Sequence, residues 1–272
     1  MTGTAALEAR GLSKAFGAVL AIADVNFTVR AGSLTAAIGP NGAGKTTLFN
    51  VLTNFYRADR GTVSYFGANL AGLGPEAIAE RGLVRTFQTA RVFPGMTVLE
   101  NALAGGHLRS RAAPWQQALW LEPARREERA MRERARALLD IAGLGAREAD
   151  PATGLPLGAQ KLLEVVRALM ASPRVLLLDE PAAGLNDAET DELARLLRAV
   201  RAAGVTLMVV EHNMSLVMGI ADEVIVLDLG RVIATGSPAA VQTDPRVIEA
   251  YLGRDTLRPP SGPRAGGDGP SC

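Results

Sequence analysis

Eight residues constrain the fold most: Gly39-Pro40-Asn41-Gly42-Ala43-Gly44-Lys45-Thr46, a match to G-x-x-x-x-G-K-[ST]. The pattern has physical meaning only where a buried strand runs into the loop and a helix leaves it. Leu34 to Ile38 is a continuous apolar run that enters the loop, and Lys45 to Thr53 reads as a helix. The glycines let successive backbone N–H groups turn inward around phosphate oxygens, and the helix N-terminus adds its positive dipole end. Lys45 is then the cation for the β- and γ-phosphates, Thr46 the hydroxyl that ligates Mg²⁺, and Thr47 a further residue of the binding loop.

The rest of the chain repeats an α/β rhythm. Asp24 to Arg30 alternates polar and apolar, as a half-buried strand does. Thr62 to Phe66 reads as an edge strand. From about Thr97 to Leu144 the pattern turns helical, with Met131, Ala135, Leu138, Leu139 and Ala142 on one face and Arg and Glu opposite. Glu128 stands four residues before Arg132, the favourable direction for an exposed pair. Acids interleave with these arginines, so the stretch is a solvated helix face rather than a nucleic-acid arm. Val175 to Leu178 is a fully apolar strand pattern ending at Asp179. Leu193, Leu196, Leu197 and Val200 mark an amphipathic helix, and Val205 to Val210 the next buried strand. Ile225-Val226-Leu227 and Val232-Ile233-Ala234 flank Gly230 as a hairpin. From Arg254 onward the chain is Pro, Gly, Ser and charge without period, which predicts disorder.

Composition narrows the function classes. A chain of 272 residues with a formal net charge of +1 offers no polyanion-binding surface, so no nucleic-acid partner is expected. Its single cysteine, Cys272, cannot build a disulfide framework, which fits a reducing compartment. No stretch approaches the roughly 20 apolar residues of a membrane span, and Met1 to Ala5 lacks the blocks of a signal peptide. The expectation is a cytosolic protein that a partner must recruit to any membrane.

Asp179-Glu180 closes the apolar strand. With a phosphate loop present, Asp179 is placed to hold Mg²⁺ and Glu180 to orient or deprotonate an attacking water. Further short motifs follow in a definite order: Lys14-Ala15-Phe16-Gly17, Arg85-Thr86-Phe87-Gln88, Leu155-Pro156-Leu157-Gly158-Ala159-Gln160, Ala183-Gly184-Leu185-Asn186 and Glu211-His212-Asn213.

Taken together, these motifs resemble the ABC-transporter ATPases over residues 5 to 253. The resemblance implies a phosphate-loop NTPase core of ABC type, with an N-terminal antiparallel β region and an inserted α-helical lobe. Residues 5–88 and 171–253 are then the core, 89–170 the lobe, and 254–272 a tail. It implies that Phe16 stacks on adenine. Gln88 touches Mg²⁺ and water and senses a transmembrane partner. Leu155, Gly158, Ala159 and Gln160 belong to a signature that grips the ATP of a second chain. Asn186 lies in the loop crossing the dimer interface, and His212 is the switch that contacts the γ-phosphate. ATP and Mg²⁺ are the implied cofactors. Two departures stand out: Pro156 replaces the usual signature Ser, and Asn186 the usual Asp. The other histidine, His107, matches no motif and is expected at the surface.

Several stretches, among them Val84 to Gln88, Met96 to Asn101, Asp179 to Asn186, Glu211 to Met218 and Asp244 to Gly253, resemble one branch, the ATPases of high-affinity branched-chain amino-acid importers. That resemblance implies paired ATPase chains on the cytoplasmic face of the membrane, under permease subunits and a solute-binding protein. The rivals are an ABC exporter ATPase, as in lipopolysaccharide transport, and a soluble non-transport ABC protein. A GTPase switch is disfavoured because none of Lys14, Lys45 and Lys161 follows an Asn.

Overall fold

The computed structural model describes residues 4–86, 92–107 and 122–255. Two sheets organise it. The first is antiparallel, with β1 (Ala5–Phe16), β2 (Val19–Arg30), β4 (Arg60–Tyr65) and β5 (Ala68–Asn69) in the order β2-β1-β4-β5. The second contains β3 (Leu34–Ile38), β6 (Leu83–Arg85), β7 (Val175–Asp179), β8 (Thr206–Val210), β9 (Glu223–Asp228) and β10 (Arg231–Gly236), in the order β10-β9-β3-β8-β7-β6. Pairing in this second sheet is parallel except at β9–β10, the hairpin expected around Gly230.

The strand β4 is not an edge. Its inner face pairs with β1, and the turn at Phe66-Gly67 brings β5 back onto its other side. Burial explains the apolar runs. In β7, Val175 and Leu177 face the core shared with the antiparallel sheet, and Leu176 and Leu178 face the helices. A strand covered on both sides has no polar face to alternate.

Helix α1 (Lys45–Leu52) sits between the sheets and buries Leu48, Phe49, Val51 and Leu52. After α2 (Pro75–Glu80), the lobe is built from α3 (Val98–Ala104), α4 (Glu122–Ile141) and α5 (Leu157–Met170). Leu99, Ala102, Ala135, Leu139, Leu163 and Val166 lie in one cluster that continues through Leu176 and Leu178 of the sheet, so lobe and sheet share a core. The predicted stripe on α4 is present, with Ala135, Leu139 and the following Ala142 buried and Met131 and Leu138 packed at its margin. On the outer side, Arg132 pairs with Glu128 at 2.8 Å.

Helix α6 (Asp187–Ala202) buries Leu193, Leu196, Leu197 and Val200 against the sheet. Helix α7 (Met214–Ile220) follows β8, and α8 (Pro238–Gln242) and α9 (Pro245–Asp255) close the chain. Val241, Val247 and Tyr251 pack beside Ala36, Ile38, Val224 and Val226. The last helix therefore reaches two residues past the predicted domain end at 253, and residues 256–272 lie outside the described part. Among the described residues, no helix is long and apolar enough to cross a membrane.

Candidate nucleotide site

The end of β3 delivers the chain into the phosphate loop. Gly39 is buried there, and a Cβ on it would collide with the Leu227 carbonyl of β9. Gly44 has φ +98°, and a Cβ on it would strike the Ala21 carbonyl of β2. Both positions need glycine because neighbouring backbone occupies the side-chain space. The β9–β10 turn supports the loop further, with the Gly230 N–H donating to the Ala43 carbonyl at 3.1 Å.

Lys45 is buried, and its Nζ donates to the carbonyls of Gly39 at 2.7 Å and Pro40 at 3.0 Å. Its ammonium is thereby held under the loop. A cleft of about 560 Å³ opens above it, lined by Asn41 to Thr47, by Glu180, and by Val19, Leu20, Ala21, Leu229 and Gly230. Val19, Leu20 and Leu229 form an exposed apolar rim on this cleft. The motifs did not mark that rim, because isolated exposed hydrophobics are ordinary in any sequence. Phe16 is also exposed but is not among the residues lining the cleft; its ring meets Tyr56 edge-on at 5.2 Å.

Asp179 ends β7 almost fully buried. Its Oδ2 accepts from Arg85 Nη2 at 2.7 Å, while Oδ1 is buried with no hydrogen-bond partner. Asp179 is not among the residues lining the cleft but directly precedes Glu180, which is; its unpartnered carboxylate oxygen suits a hard divalent cation, and the Thr46 hydroxyl in the cleft supplies a second oxygen. The residues therefore fit Mg²⁺, which takes only one or two protein ligands and completes its shell from phosphate and water. Among the described residues, no group of three or more His, Cys, Asp or Glu side chains is placed to hold a metal ion. Gln88, the third predicted ligand, lies outside the described residues.

Glu180 follows in a left-handed conformation, φ +48°, with its N–H donating to the Val210 carbonyl at 2.9 Å. A non-glycine residue in this region is uncommon and clusters at functional sites. The turn places Glu180 on the cleft. His212 is exposed just beyond β8.

The signature turn is placed differently from the cleft. Pro156 is the N-cap of α5 and makes no side-chain cap. Leu155 lies in the core, and its carbonyl accepts from Gln160 Nε2 at 2.8 Å, so Gln160 braces the turn. The Gly158 N–H donates to Glu189 Oε1 at 3.3 Å, so within this chain it meets a carboxylate. Ala159 is half-buried behind the exposed Leu157. Asn186 caps α6 in a capping box: its Oδ1 accepts the Glu189 N–H at 3.0 Å, and Glu189 Oε2 accepts the Asn186 N–H at 3.0 Å.

Three further residues were given no role by the sequence, although two stand inside its motifs: Arg85, Glu189 and Glu211. Glu211 is fully buried and accepts from the backbone N–H groups of Ala182, His212 and Asn213. Burial pushes its carboxyl above the usual range, opposed by those three N–H groups. An acid terminating an apolar strand, the same signal read at Asp179, could have marked it.

A mainly parallel sheet in which β3 enters a phosphate loop, and in which β7, one strand removed across β8, ends at Asp179 just before Glu180, defines a phosphate-loop NTPase. A family model described as ABC transporter matches residues 22–183, and one described as branched-chain amino acid ATP-binding cassette transporter matches residues 231–256. The chain belongs to the ABC transporter family, as an ATP-hydrolysing ATP-binding cassette. Its relatives include the high-affinity branched-chain amino acid transport ATP-binding protein BraF of Pseudomonas aeruginosa, 43% identical over 91% of this chain and 97% of that protein. The corresponding LivG protein of Escherichia coli K12 is 41% identical over 91% and 97%. The crystal structure of an ABC-transporter cassette in its ADP conformation superposes with a TM-score of 0.80 at 33% identity, covering 92% of this chain and 99% of that one.

Proposed function

We propose that this cassette powers the import of branched-chain amino acids or a related small solute, with two ATPase chains closing head to tail on ATP. The observation that carries the solute class is the C-terminal match over 231–256, joined to relatives named for branched-chain amino-acid transport. In this reading the chain binds permease subunits at the cytoplasmic face of the membrane, and a solute-binding protein delivers cargo from the other side.

The residues divide the work. Lys45 and the loop N–H groups hold the β- and γ-phosphates. Thr46 and Asp179, with Gln88, would hold Mg²⁺, which when bound neutralises charge on the phosphate oxygens. Glu180 takes or orients the proton of the attacking water, and His212 contacts the γ-phosphate side. Leu157, 46% exposed at the first turn of α5 and close to Gly184, offers an apolar contact for the partner chain. The first-turn N–H groups of α5 would meet the partner's γ-phosphate once dimer closure frees the Gly158 N–H from Glu189, so that each ATP is shared between two chains.

The test reconstitutes the chain with the permease and binding-protein products of its neighbouring genes in liposomes. Leucine, isoleucine or valine should stimulate ATP hydrolysis and accumulate inside. Glu180→Gln should lower turnover by roughly 10²–10⁴-fold while ATP still binds and the closed dimer accumulates. Near-normal turnover would assign the base elsewhere, and stimulation by none of these solutes would refute the solute class.

A further inference from the structure

The buried carboxylate of Glu211 has no part in the chemistry above. Its Oε1 accepts the Ala182 N–H at 2.7 Å, and its Oε2 accepts the N–H groups of His212 at 3.1 Å and Asn213 at 3.3 Å. Ala182 belongs to the loop that follows β7 and leads to Asn186; His212 belongs to the loop that follows β8. One side chain thus joins two loops that leave neighbouring strands.

The strand ends do not need this joint. They are already tied by the backbone pairing of β7 with β8 and by the Glu180 N–H on the Val210 carbonyl. Burying a carboxylate is expensive, and apolar packing holds strand ends equally well. What an apolar side chain cannot do is fix three N–H groups of two loops at one point. The acceptor geometry acts on the loops beyond the strands, where the switch histidine stands.

We infer that Glu211 is a positioning residue, which sets His212 relative to the interface loop and carries displacement of that loop at dimer closure to His212. The inference rests on the roles proposed above for His212 and for the 182–186 loop. It makes the hydrolytic geometry of one chain depend on how its own interface loop is seated by the partner.

The experiment uses the full chain and Mg-ATP. Glu211→Gln keeps the shape but turns an NH₂ group toward one of the N–H donors, breaking one arm of the joint. Turnover should fall roughly tenfold or more with KM for ATP nearly unchanged, and Glu211→Asp should recover part of the loss. In a His212→Ala background, Glu211→Gln should cause no further loss, because residues acting as one unit are not additive. Equal losses in both backgrounds, or full activity of Glu211→Gln in the native background, overturn the inference. If the Gln variant does not fold, hydrogen exchange of the native chain decides: joint protection of Ala182, His212 and Asn213 on ATP-driven closure supports the joint, and independent behaviour overturns it. If His212→Ala itself turns over normally, the proposed switch role fails first and this inference fails with it; a normal His212→Ala defect beside an active Glu211→Gln overturns the inference alone.

Discussion

Asp179 shows how one residue serves both fold and site. Its side chain is 0% exposed and that of its partner Arg85 is 6% exposed, so the pair is withdrawn from water. Arg85 is held in turn by Asn50 Oδ1 at 2.7 Å and lies over the Phe49 ring. A buried pair contributes little against an apolar replacement, but removing one partner leaves an uncompensated charge. Arg85→Met should therefore lower unfolding free energy by about 3 kcal/mol, measured by urea denaturation. Mg-ATP should restore part of the loss, because a cation at the free Oδ1 supplies the missing positive charge. A variant as stable as the native chain would show that the Arg85 contact contributes nothing to holding Asp179 buried.

At the scale of the element, the lobe is specified by its caps and by one buried amide. Thr97 opens α3 with a capping box, its hydroxyl accepting the Glu100 N–H and Glu100 accepting the Thr97 N–H. T-x-x-E is legible in the sequence. The role of Asn101 is not. It is fully buried, its Oδ1 accepts the Phe93 N–H at 2.7 Å, and its Nδ2 donates to the Thr97 carbonyl at 3.0 Å. It therefore shapes the 93–97 segment that leads into α3. Asn101→Leu removes the acceptor of the Phe93 N–H and the donor to the Phe93 and Thr97 carbonyls, and leaves those groups without this buried partner. The expected loss is about 2 kcal/mol, a fall in Tm of roughly 4–8 °C in a thermal melt. Nearly unchanged melting would mean that water reaches the Phe93 N–H.

At the scale of the whole molecule, both predicted contact regions for a second chain lie on one network. The Gly158 N–H of the signature helix meets Glu189, and Glu189 closes the capping box with Asn186 of the interface loop. The predicted signature and interface loop are therefore joined through Glu189 within each chain. The helix is otherwise uncapped, because Pro156 supplies no side-chain acceptor. Pro156→Ser adds one, worth about 1 kcal/mol at an N-cap, and restores a hydroxyl for the γ-phosphate. ATP-driven dimerisation of a Glu180→Gln chain should tighten through the added hydroxyl contact to the γ-phosphate, read by analytical ultracentrifugation. No change would show that the hydroxyl was never limiting and that backbone amides suffice for this recognition.

The amino-acid sequence alone determined everything governed by local spacing and period. The strand, phosphate loop and helix around Lys45, the doubly buried β7 ending in Asp179-Glu180, the apolar stripe of α4 and the hairpin at Gly230 were all readable, because each is set by neighbours within a few residues. Only the tertiary structure decided what each polar group faces across the chain. Arg85 meets Asp179 94 residues away, Glu211 meets Ala182 across 29 and Gly158 meets Glu189 across 31. Such pairings depend on which strand lies beside which, and a motif carries no information about that. The loop around Lys45 marks the chemistry; the sheet order, through Glu211 and Glu189, joins it to the surfaces proposed to meet a second chain.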